Sequence, residues 1–346
     1  MCGWDISANR KANDDYTHNP VFTLCKRRAR AGMPQFVIDK TIRLEINGSS
    51  QRIRLCAERE GLPPILVVQA GPGFPLLHEV KKFQQRLNLE KDFMVSYWDQ
   101  RGCGIASRQD AKSVSLQQQL DDLRAVLHWL KNETGQTVIA FGISLGATLA
   151  LQASEYERDS VRAVVAISPD AHTASSDAAV SSFLRAQSVI AKNRRLSPKL
   201  MKLGDPPYTT PAAFQLRASL LADLGGIERG KKFSALLRET LLGLIGTYGF
   251  LGMAKAMRNM NLIQRKLLPQ LASLDLFTDP PRLLMPVHYI FGEQDPLIPA
   301  EIVKQLPEAI TSPEKTVILI SNAGHMVHFD QPEVVRSIFL SARHEK

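Results

Sequence analysis

The 346-residue sequence predicts a protein of the α/β class, with a mostly parallel central sheet, helices on both faces and an inserted helical lid. From Ile65 onward, strand-like apolar runs alternate with helical stripes, as in a parallel sheet covered by helices. A Gly-x-Ser-x-Gly segment joins one such strand to one such helix. Between residues 171 and 280 the strand signal disappears. We therefore divide the chain into an N-terminal extension (1–34), a first core part (35–170), a lid (171–280) and a second core part (281–346).

The first predicted element is an antiparallel hairpin over residues 40–54. Ile42, Leu44 and Ile46 alternate along one face, and the chain turns at Asn47-Gly48. Helical spacing and a Ser115–Gln118 capping pair predict a helix from residue 116. A last helix should start at Pro332 with Asp330 as its cap. The remaining predicted strands are 65–68, 93–98, 137–141, 163–168, 287–291 and 316–320.

The segment Gly142-Ile143-Ser144-Leu145-Gly146 lies directly between strand 137–141 and the helix-prone residues 147–153. A strand that turns sharply into a helix through this motif holds its serine hydroxyl exposed, with the helix N-terminus beneath it. Small residues flank the serine because the turn brings neighbouring backbone close. Ser144 is therefore the predicted nucleophile.

A serine nucleophile requires a histidine base and a carboxylate that orients it. In this topology the chain order is serine, acid, histidine. Asp295 lies in the turn after strand 287–291, and His325 lies in the loop after strand 316–320. Since the carboxyl ends of parallel strands share one rim of the sheet, both side chains should face Ser144. We predict Asp295 as the orienting acid and His325 as the general base.

Two other residues stay open as alternatives. His328 lies three residues beyond His325, and Asp170 follows strand 163–168. His325 is favoured because it comes first after its strand and Gly324 frees the turn. No histidine has the spacing of a metal site, so we expect no metal and no cofactor. The histidines interpreted as surface or interior side chains are His18, His78, His128, His172 and His288.

Acyl transfer also requires two donors for the developing oxyanion. One is the backbone N–H of Leu145, the residue after the nucleophile. The other should come from loop 69–75, which follows an earlier strand. Pro72 has no N–H, so the donor is Gly71 or Gly73, and we favour Gly71 because it is nearer the strand.

Together these motifs resemble the proline iminopeptidase-like group of α/β-hydrolases, over about residues 37–170 and 283–342. That group carries His-Gly-Gly-Pro-Gly in the first loop, Asp-Gln-Arg-Gly-x-Gly in the second and usually Gly-Gly-Ser-Trp-Gly at the elbow. The chain departs from it in the first loop and on both sides of Ser144. The resemblance implies the α/β-hydrolase fold. The segments that carry it are Gln69-Ala70-Gly71-Pro72-Gly73, residues 97–104, the elbow, residues 292–295 and His325.

Composition indicates one large globular unit, with 44% apolar residues. No stretch approaches 18 consecutive apolar residues, so we expect no transmembrane segment. Residues 1–9 lack the layout of a signal peptide. The cysteines show no C-x-x-C spacing, which indicates reduced thiols and a cytoplasmic location. They are Cys2, Cys25, Cys56 and Cys103.

The lid carries most of the net charge. Residues 171–280 contain fifteen Lys and Arg against seven Asp and Glu, which is +8 of the +9 for the whole chain. These cations either lie on solvated helix faces or attract an anionic substrate. We expect no nucleic-acid partner, because no aromatic residues interleave with the cations and no recognition motif occurs. The extension 1–34 is interpreted as a tail that wraps the core or stays mobile.

The sequence thus predicts a serine hydrolase that cleaves an ester or amide bond of a small molecule or short peptide through an acyl-enzyme intermediate. An aminopeptidase of the proline iminopeptidase type is the first alternative. An acyltransferase and a non-catalytic ligand-binding protein on the same scaffold are the others. Ser144 excludes dehalogenases and epoxide hydrolases of this fold, because these have an aspartate nucleophile at the elbow.

Overall fold

The computed structural model describes residues 36–190 and 196–343, so the predicted extension 1–34 lies outside the described residues. Its strands are β1 (Ile38–Ile46), β2 (Ser49–Ala57), β3 (Pro64–Val68), β4 (Met94–Asp99), β5 (Val138–Ile143), β6 (Val161–Ile167), β7 (Val287–Gly292) and β8 (Lys315–Ile320). They form one eight-stranded sheet in the order β1-β2-β4-β3-β5-β6-β7-β8. β2 is antiparallel to both its neighbours, and all other neighbouring strands are parallel. The predicted fold class, a mostly parallel α/β sheet, is confirmed.

The hairpin β1–β2 turns at the two predicted residues. Asn47 has φ 48° and Gly48 has φ 73°. Positive φ at both central positions is the geometry of a tight hairpin turn whose twist matches that of the strands. The register that follows pairs Ile46 with Ser49.

Helices cover both faces of the sheet. They are α1 (Val80–Arg86), α2 (Arg108–Ser113), α3 (Leu116–Thr134), α4 (Leu145–Tyr156), α5 (Thr173–Ile190), α6 (Leu196–Leu203), α7 (Pro211–Asp223), α8 (Phe233–Leu271), α9 (Ala300–Ala309), α10 (Val327–Asp330) and α11 (Pro332–Ala342). Successive side chains of a strand point to opposite faces. In β3, accordingly, Leu66 and Val68 belong to the apolar cluster that includes residues of α3 and α4, whereas Ile65 and Val67 belong to the cluster on the other face, with residues of α1 and α11.

One of the two predicted helix caps is confirmed. Ser115 Oγ accepts the N–H of Gln118 at 3.1 Å, and α3 begins at Leu116, directly after Ser115. The prediction for Asp330 was wrong, because this residue ends α10 and is not the residue before α11. Its carboxylate accepts instead the N–H groups of Gly324 and Arg229, both at 2.8 Å. The side chain thereby joins the loop before His325 to the lid.

The four helices α5 to α8 come between β6 and β7, where the lid was predicted. The longest of them, α8, is interrupted at Gly249, whose φ is 74° and ψ is 173°. By length and composition alone α8 could cross a membrane. Uninterrupted apolar runs do not indicate this in the sequence, because small and polar residues are interspersed. The helix is broken at Gly249, and Ile263 and Leu267 in its second half are buried in the core.

Candidate active site

Ser144 lies at the sharp turn between β5 and α4. Its backbone has φ 53° and ψ −125°, which is strained for any residue other than glycine. A Cβ at Gly142 would lie 2.4 Å from Ala147 Cα, and a Cβ at Gly146 would lie 2.1 Å from Val68 O. The two glycines of the motif are therefore required by close backbone approach, and they hold the serine at the carboxyl rim of the sheet.

His325 and Asp295 are brought together at the same rim. The Nδ1 atom of His325 lies 2.7 Å from Asp295 Oδ2, and both side chains are buried. Burial opposes a charge on the imidazole, but the nearby Asp295 carboxylate outweighs it and raises the pKa of His325 above its ordinary value. The backbone N–H of His325 also donates to Gly226 O in the lid at 2.9 Å. The imidazole is therefore held from two sides.

The hydroxyl of Ser144 makes its hydrogen bond with Asp170, the second candidate acid. Ser144 Oγ lies 3.4 Å from Asp170 Oδ2. Thr148 Oγ1 donates to the backbone oxygen of Asp170 at 2.8 Å, which fixes this residue beside α4. Burial raises the pKa of the Asp170 carboxyl. In the described part of the chain Asp170 forms no ion pair, and it is not the hydrogen-bond partner of His325.

His328, the alternative base, lies in an aromatic cluster. Its ring stacks on Phe83 with centroids 5.2 Å apart, and its Nδ1 atom has no partner among the described residues. Burial, with Lys82 nearby, lowers the pKa of His328 well below its ordinary value. A neutral, enclosed imidazole packed on Phe83 serves the core rather than proton transfer with Ser144.

The two predicted oxyanion donors are neighbours. A Cβ at Gly71 would lie 2.9 Å from Leu145 Cδ2, so loop 69–75 packs directly against the first residue of α4. The N–H of Leu145 belongs to the first helical turn, where no partner exists within the helix. Gly73 instead approaches α8, where its Cβ would lie 3.1 Å from Ile263. This geometry favours Gly71 over Gly73.

Asp99 supports the site, and sequence reasoning assigned it no role. Its Oδ1 atom accepts the N–H groups of Leu76 at 2.7 Å and Leu77 at 2.9 Å, and Tyr248 of α8 donates to Oδ2. Burial raises the pKa of Asp99. One carboxyl thus connects β4, the chain that follows loop 69–75 and the lid. The run Asp99-Gln100-Arg101-Gly102 was the available signal, but its partners are distant in sequence.

A cavity beside Asp170 and Gly71 is lined partly by residues of α5, α7 and α8. Arg217 of α7 pairs with Asp177 of α5, and both line this cavity. Among the described lid cations only Arg217 lines it, so the excess positive charge of the lid lies elsewhere. The other lining residues are Pro72, Thr173, Ser176, Tyr208, Thr209, Phe214, Leu268, Leu271, Ala272 and Leu297.

The described residues contain no group of three or more His, Cys, Asp or Glu side chains arranged to hold a metal ion. What the site does contain is a serine on a strained turn, a buried histidine–carboxylate pair, the two adjacent residues predicted to supply backbone donors, and a second carboxyl. These groups are those of acyl transfer.

Comparison with known proteins agrees with this fold. A family model described as alpha/beta hydrolase fold matches residues 63–332. A probable aminopeptidase of Bacillus subtilis (strain 168) is 26% identical over 307 residues, which cover 87% of this chain and 95% of that protein.

Solved structures show the same fold at low identity. The proline iminopeptidase of Mycobacterium smegmatis superposes with a TM-score of 0.61 at 16% identity, over 88% of this chain and 98% of that one. A proline iminopeptidase-related protein of Thermus thermophilus gives a TM-score of 0.58 at 16% identity, over 88% and 96% of the two chains.

Proposed function

Because the chain belongs to the α/β-hydrolase fold family and is an enzyme with hydrolase activity, we propose that it works by a Ser-His-Asp mechanism through an acyl-enzyme intermediate. Ser144 attacks a carbonyl carbon while His325 accepts its proton, and Asp295 holds the imidazole. The N–H groups of Leu145 and Gly71 bind the oxyanion. His325 gives this proton to the leaving amine or alcohol, which departs as the acyl-enzyme forms, and water activated by His325 then releases the acid and restores Ser144. The 2.7 Å contact between His325 and Asp295 supports these roles.

The hydrogen bond from Ser144 to Asp170 must be replaced by one to His325 before Ser144 attacks. At 3.4 Å it is longer than the usual range for O–H···O bonds, so it is weak. Rotation of the Ser144 side chain toward His325 therefore costs little. A substrate group that binds the Asp170 carboxyl would favour this rotation further, because Asp170 would no longer compete with His325 for the Ser144 hydroxyl.

We propose that this group is the free amine of an α-aminoacyl substrate. The observation that carries the proposal is the Asp170 carboxyl, 3.4 Å from Ser144 Oγ and without an ion pair among the described residues. In an α-aminoacyl group the amino nitrogen lies only about 2.5 Å from the carbonyl carbon. A serine oxygen attacks that carbon from about 3 Å. The Asp170 carboxylate is therefore within hydrogen-bond reach of a substrate ammonium.

The charges of the cavity support a cationic substrate rather than the anionic one suggested by the basic lid. Arg217 is neutralised by Asp177, which leaves Asp170 as the unpaired charge beside the nucleophile. Phe214, Leu268 and other apolar residues line the remaining wall and would contact the side chain of the acyl group. Function is thus proposed as aminopeptidase-type hydrolysis of an amide or ester with a free α-amino group.

The test compares the cleavage of aminoacyl arylamides (prolyl, alanyl and leucyl) with that of their N-acetyl forms. A fluorophosphonate that carries no amine labels the nucleophile in a parallel measurement. Wild type should prefer the free amine by about 10²-fold, the size of a charged hydrogen bond. Asp170→Asn should lose this preference yet still be labelled. Asp205→Asn, at an exposed lid carboxylate, is the matched control and should behave as wild type.

Ser144→Ala tests the nucleophile itself. It should lose labelling and at least about 10³ of turnover on every substrate. Retained activity in a folded Ser144→Ala protein would exclude the mechanism. Equal cleavage of free and N-acetylated substrates by wild type would instead exclude only the role of Asp170.

A further inference from the structure

The lid has an exposed apolar corner that the proposed chemistry does not use. Residues 240–254 contain no charged side chain. We call them the lid apex. They surround the Gly249 break of α8, where the backbone leaves helical geometry. Their exposed large side chains are Leu242 (62% exposed), Ile245 (39%), Phe250 (70%) and Leu251 (86%). Only 11% of the most apolar 18-residue window of α8 is buried.

The inner side of the apex is fixed to the core. Tyr248 donates to Asp99, and a Cβ at Gly243 would lie 2.8 Å from His78 O. At Gly252 a Cβ would lie 3.2 Å from Ile105 Cγ2. These contacts attach the backbone on both sides of Phe250 and Leu251 to the core, while the two side chains themselves are exposed.

Cations lie behind the apolar tip on both arms of α8. Arg238 precedes Leu242 by four residues, and Arg258 follows Leu251 by seven. At about 1.5 Å per helical residue these separations are about 6 and 10 Å along the arms. In the described part of the chain Arg238 and Arg258 form no ion pair, and Arg258 donates only to the neutral Asn259 side chain. Uncompensated charge is thus set back from an exposed apolar tip.

We propose that the lid apex docks on an anionic lipid surface. Amphipathic segments of this kind insert their apolar side chains by about 5–10 Å, to the boundary between headgroups and acyl chains. At that depth Arg238 and Arg258, with Lys255 between Arg258 and the tip, reach the level of the lipid phosphates. Phe250 and Leu251 provide the apolar contact, and the arginines provide selection for negative charge.

Charge also favours a lipid surface over the two other candidate partners of the apex, a second copy of the chain and residues 1–34. A second copy packed tip to tip would bring the cations of two apices together. Residues 1–34 of the same chain carry six Lys and Arg against three Asp, so this segment would be repelled as well. An anionic bilayer satisfies both the apolar side chains and the arginines. The proposal does not depend on the proposed substrate.

The experiment is co-sedimentation of the full chain with vesicles of phosphatidylcholine alone or with about 30% phosphatidylglycerol, a composition that gives the surface the negative potential the arginines require. The wild-type protein should bind the mixed vesicles at least tenfold more tightly, and 0.5 M salt should weaken the binding by screening. Leu251→Glu should lose at least tenfold. Leu284→Glu is the matched control, because Leu284 is 66% exposed but lies outside the lid.

A double variant, Arg238→Gln with Arg258→Gln, separates charge from apolar contact. Each cation near an anionic surface contributes about fivefold, so the pair should cost about 25-fold on mixed vesicles and little on neutral ones. Fluorophosphonate labelling of Leu251→Glu in solution should match wild type, which shows that the fold is intact.

Four outcomes would overturn the proposal. The first is no binding of wild type to either vesicle, and the second is equal binding by wild type and Leu251→Glu. The third is a dimer in light scattering that Leu251→Glu dissociates, without vesicle binding, which would make the apex an interface between copies. The fourth is binding that appears only after removal of residues 1–34, which would identify that segment as the occupant of the apex.

Discussion

Asp295 determines how strong a base His325 is. Burial alone would lower the pKa of this imidazole, and the carboxylate 2.7 Å away reverses the effect. A general base acts in its neutral form. Since the pKa of His325 lies above 6.5, kcat/KM of the wild-type enzyme should fall as the pH drops through a value above 6.5.

Asp295→Asn should change both the rate and this pH dependence. Loss of the orienting carboxylate should lower kcat/KM by about 10³ or more through the wrong tautomer. It should also move the acid limb of the profile to lower pH, because the main contribution that raises the pKa of His325 is removed. The measurement is kcat/KM between pH 5 and 9, with Asp279→Asn as a control. If Asp170→Asn moved the limb and Asp295→Asn did not, Asp170 would be the orienting acid.

The elbow between β5 and α4 is the element that depends most on small residues. Gly146 has no room for a Cβ, which would lie 2.1 Å from Val68 O. Gly246, in the lid apex, has nothing within 4 Å of its Cβ position. The same chemical change should therefore have opposite effects at these two helical positions.

Gly146→Ala should lower the free energy of unfolding by about 3 kcal/mol or more, because α4 must shift away from β3. Gly246→Ala should be neutral or stabilising by up to about 1 kcal/mol, as alanine is the better helix former. Urea unfolding of both variants measures the difference. Equal stabilities would contradict the close approach of α4 and β3.

At the scale of the whole molecule, a buried ion pair connects the hairpin to the core. Arg101 Nε donates to Asp122 Oδ2 at 2.7 Å, and its Nη2 atom donates to Asp122 Oδ1 at 2.9 Å. The same carboxylate accepts from Asn47 at the hairpin turn and from Gln51 of β2. Antiparallel β1–β2 is thereby attached to α3 beneath the parallel part of the sheet.

Arg101→Gln should destabilise the protein by about 3–5 kcal/mol, because it leaves the Asp122 carboxylate buried without its partner. Arg185→Gln is the control. It removes an exposed pair with Asp205, whose side chains are 65% and 77% accessible, and should cost less than about 1 kcal/mol. The measurement is thermal unfolding of the two variants. Similar melting temperatures would show that the buried network adds no stability.

The strands and the hairpin could be predicted because their signals are local. Apolar runs such as 65–68 and the Asn47-Gly48 turn are encoded by adjacent residues, and the structure reproduces each predicted strand to within about two residues. Asp330 shows the limit of such reasoning. Its position before Pro332 suggested a cap, but the two N–H groups that it accepts come from other parts of the chain.

Some properties of the active-site candidates likewise follow from local sequence, and others depend on tertiary contacts. Ser144 and its flanking glycines form one short motif, and the rim positions of Asp295 and His325 follow from strand order. Their catalytic roles and the cytoplasmic location stay predictions. The net charge of the lid was a poor guide to the cavity, because composition does not tell which helix face carries each charge. Arg217 faces the cavity only together with its partner Asp177.

The sequence by itself determined the fold class, the elbow and the order of the three candidate catalytic residues, because periodicity and short motifs are properties of neighbouring residues. Only the tertiary structure decided that Asp170 contacts Ser144, that Asp99 joins β4 and the chain after loop 69–75 to the lid, and that Phe250 and Leu251 are exposed. The physical reason is that these contacts join residues from different elements. Which side chains meet there depends on how helices pack across the sheet.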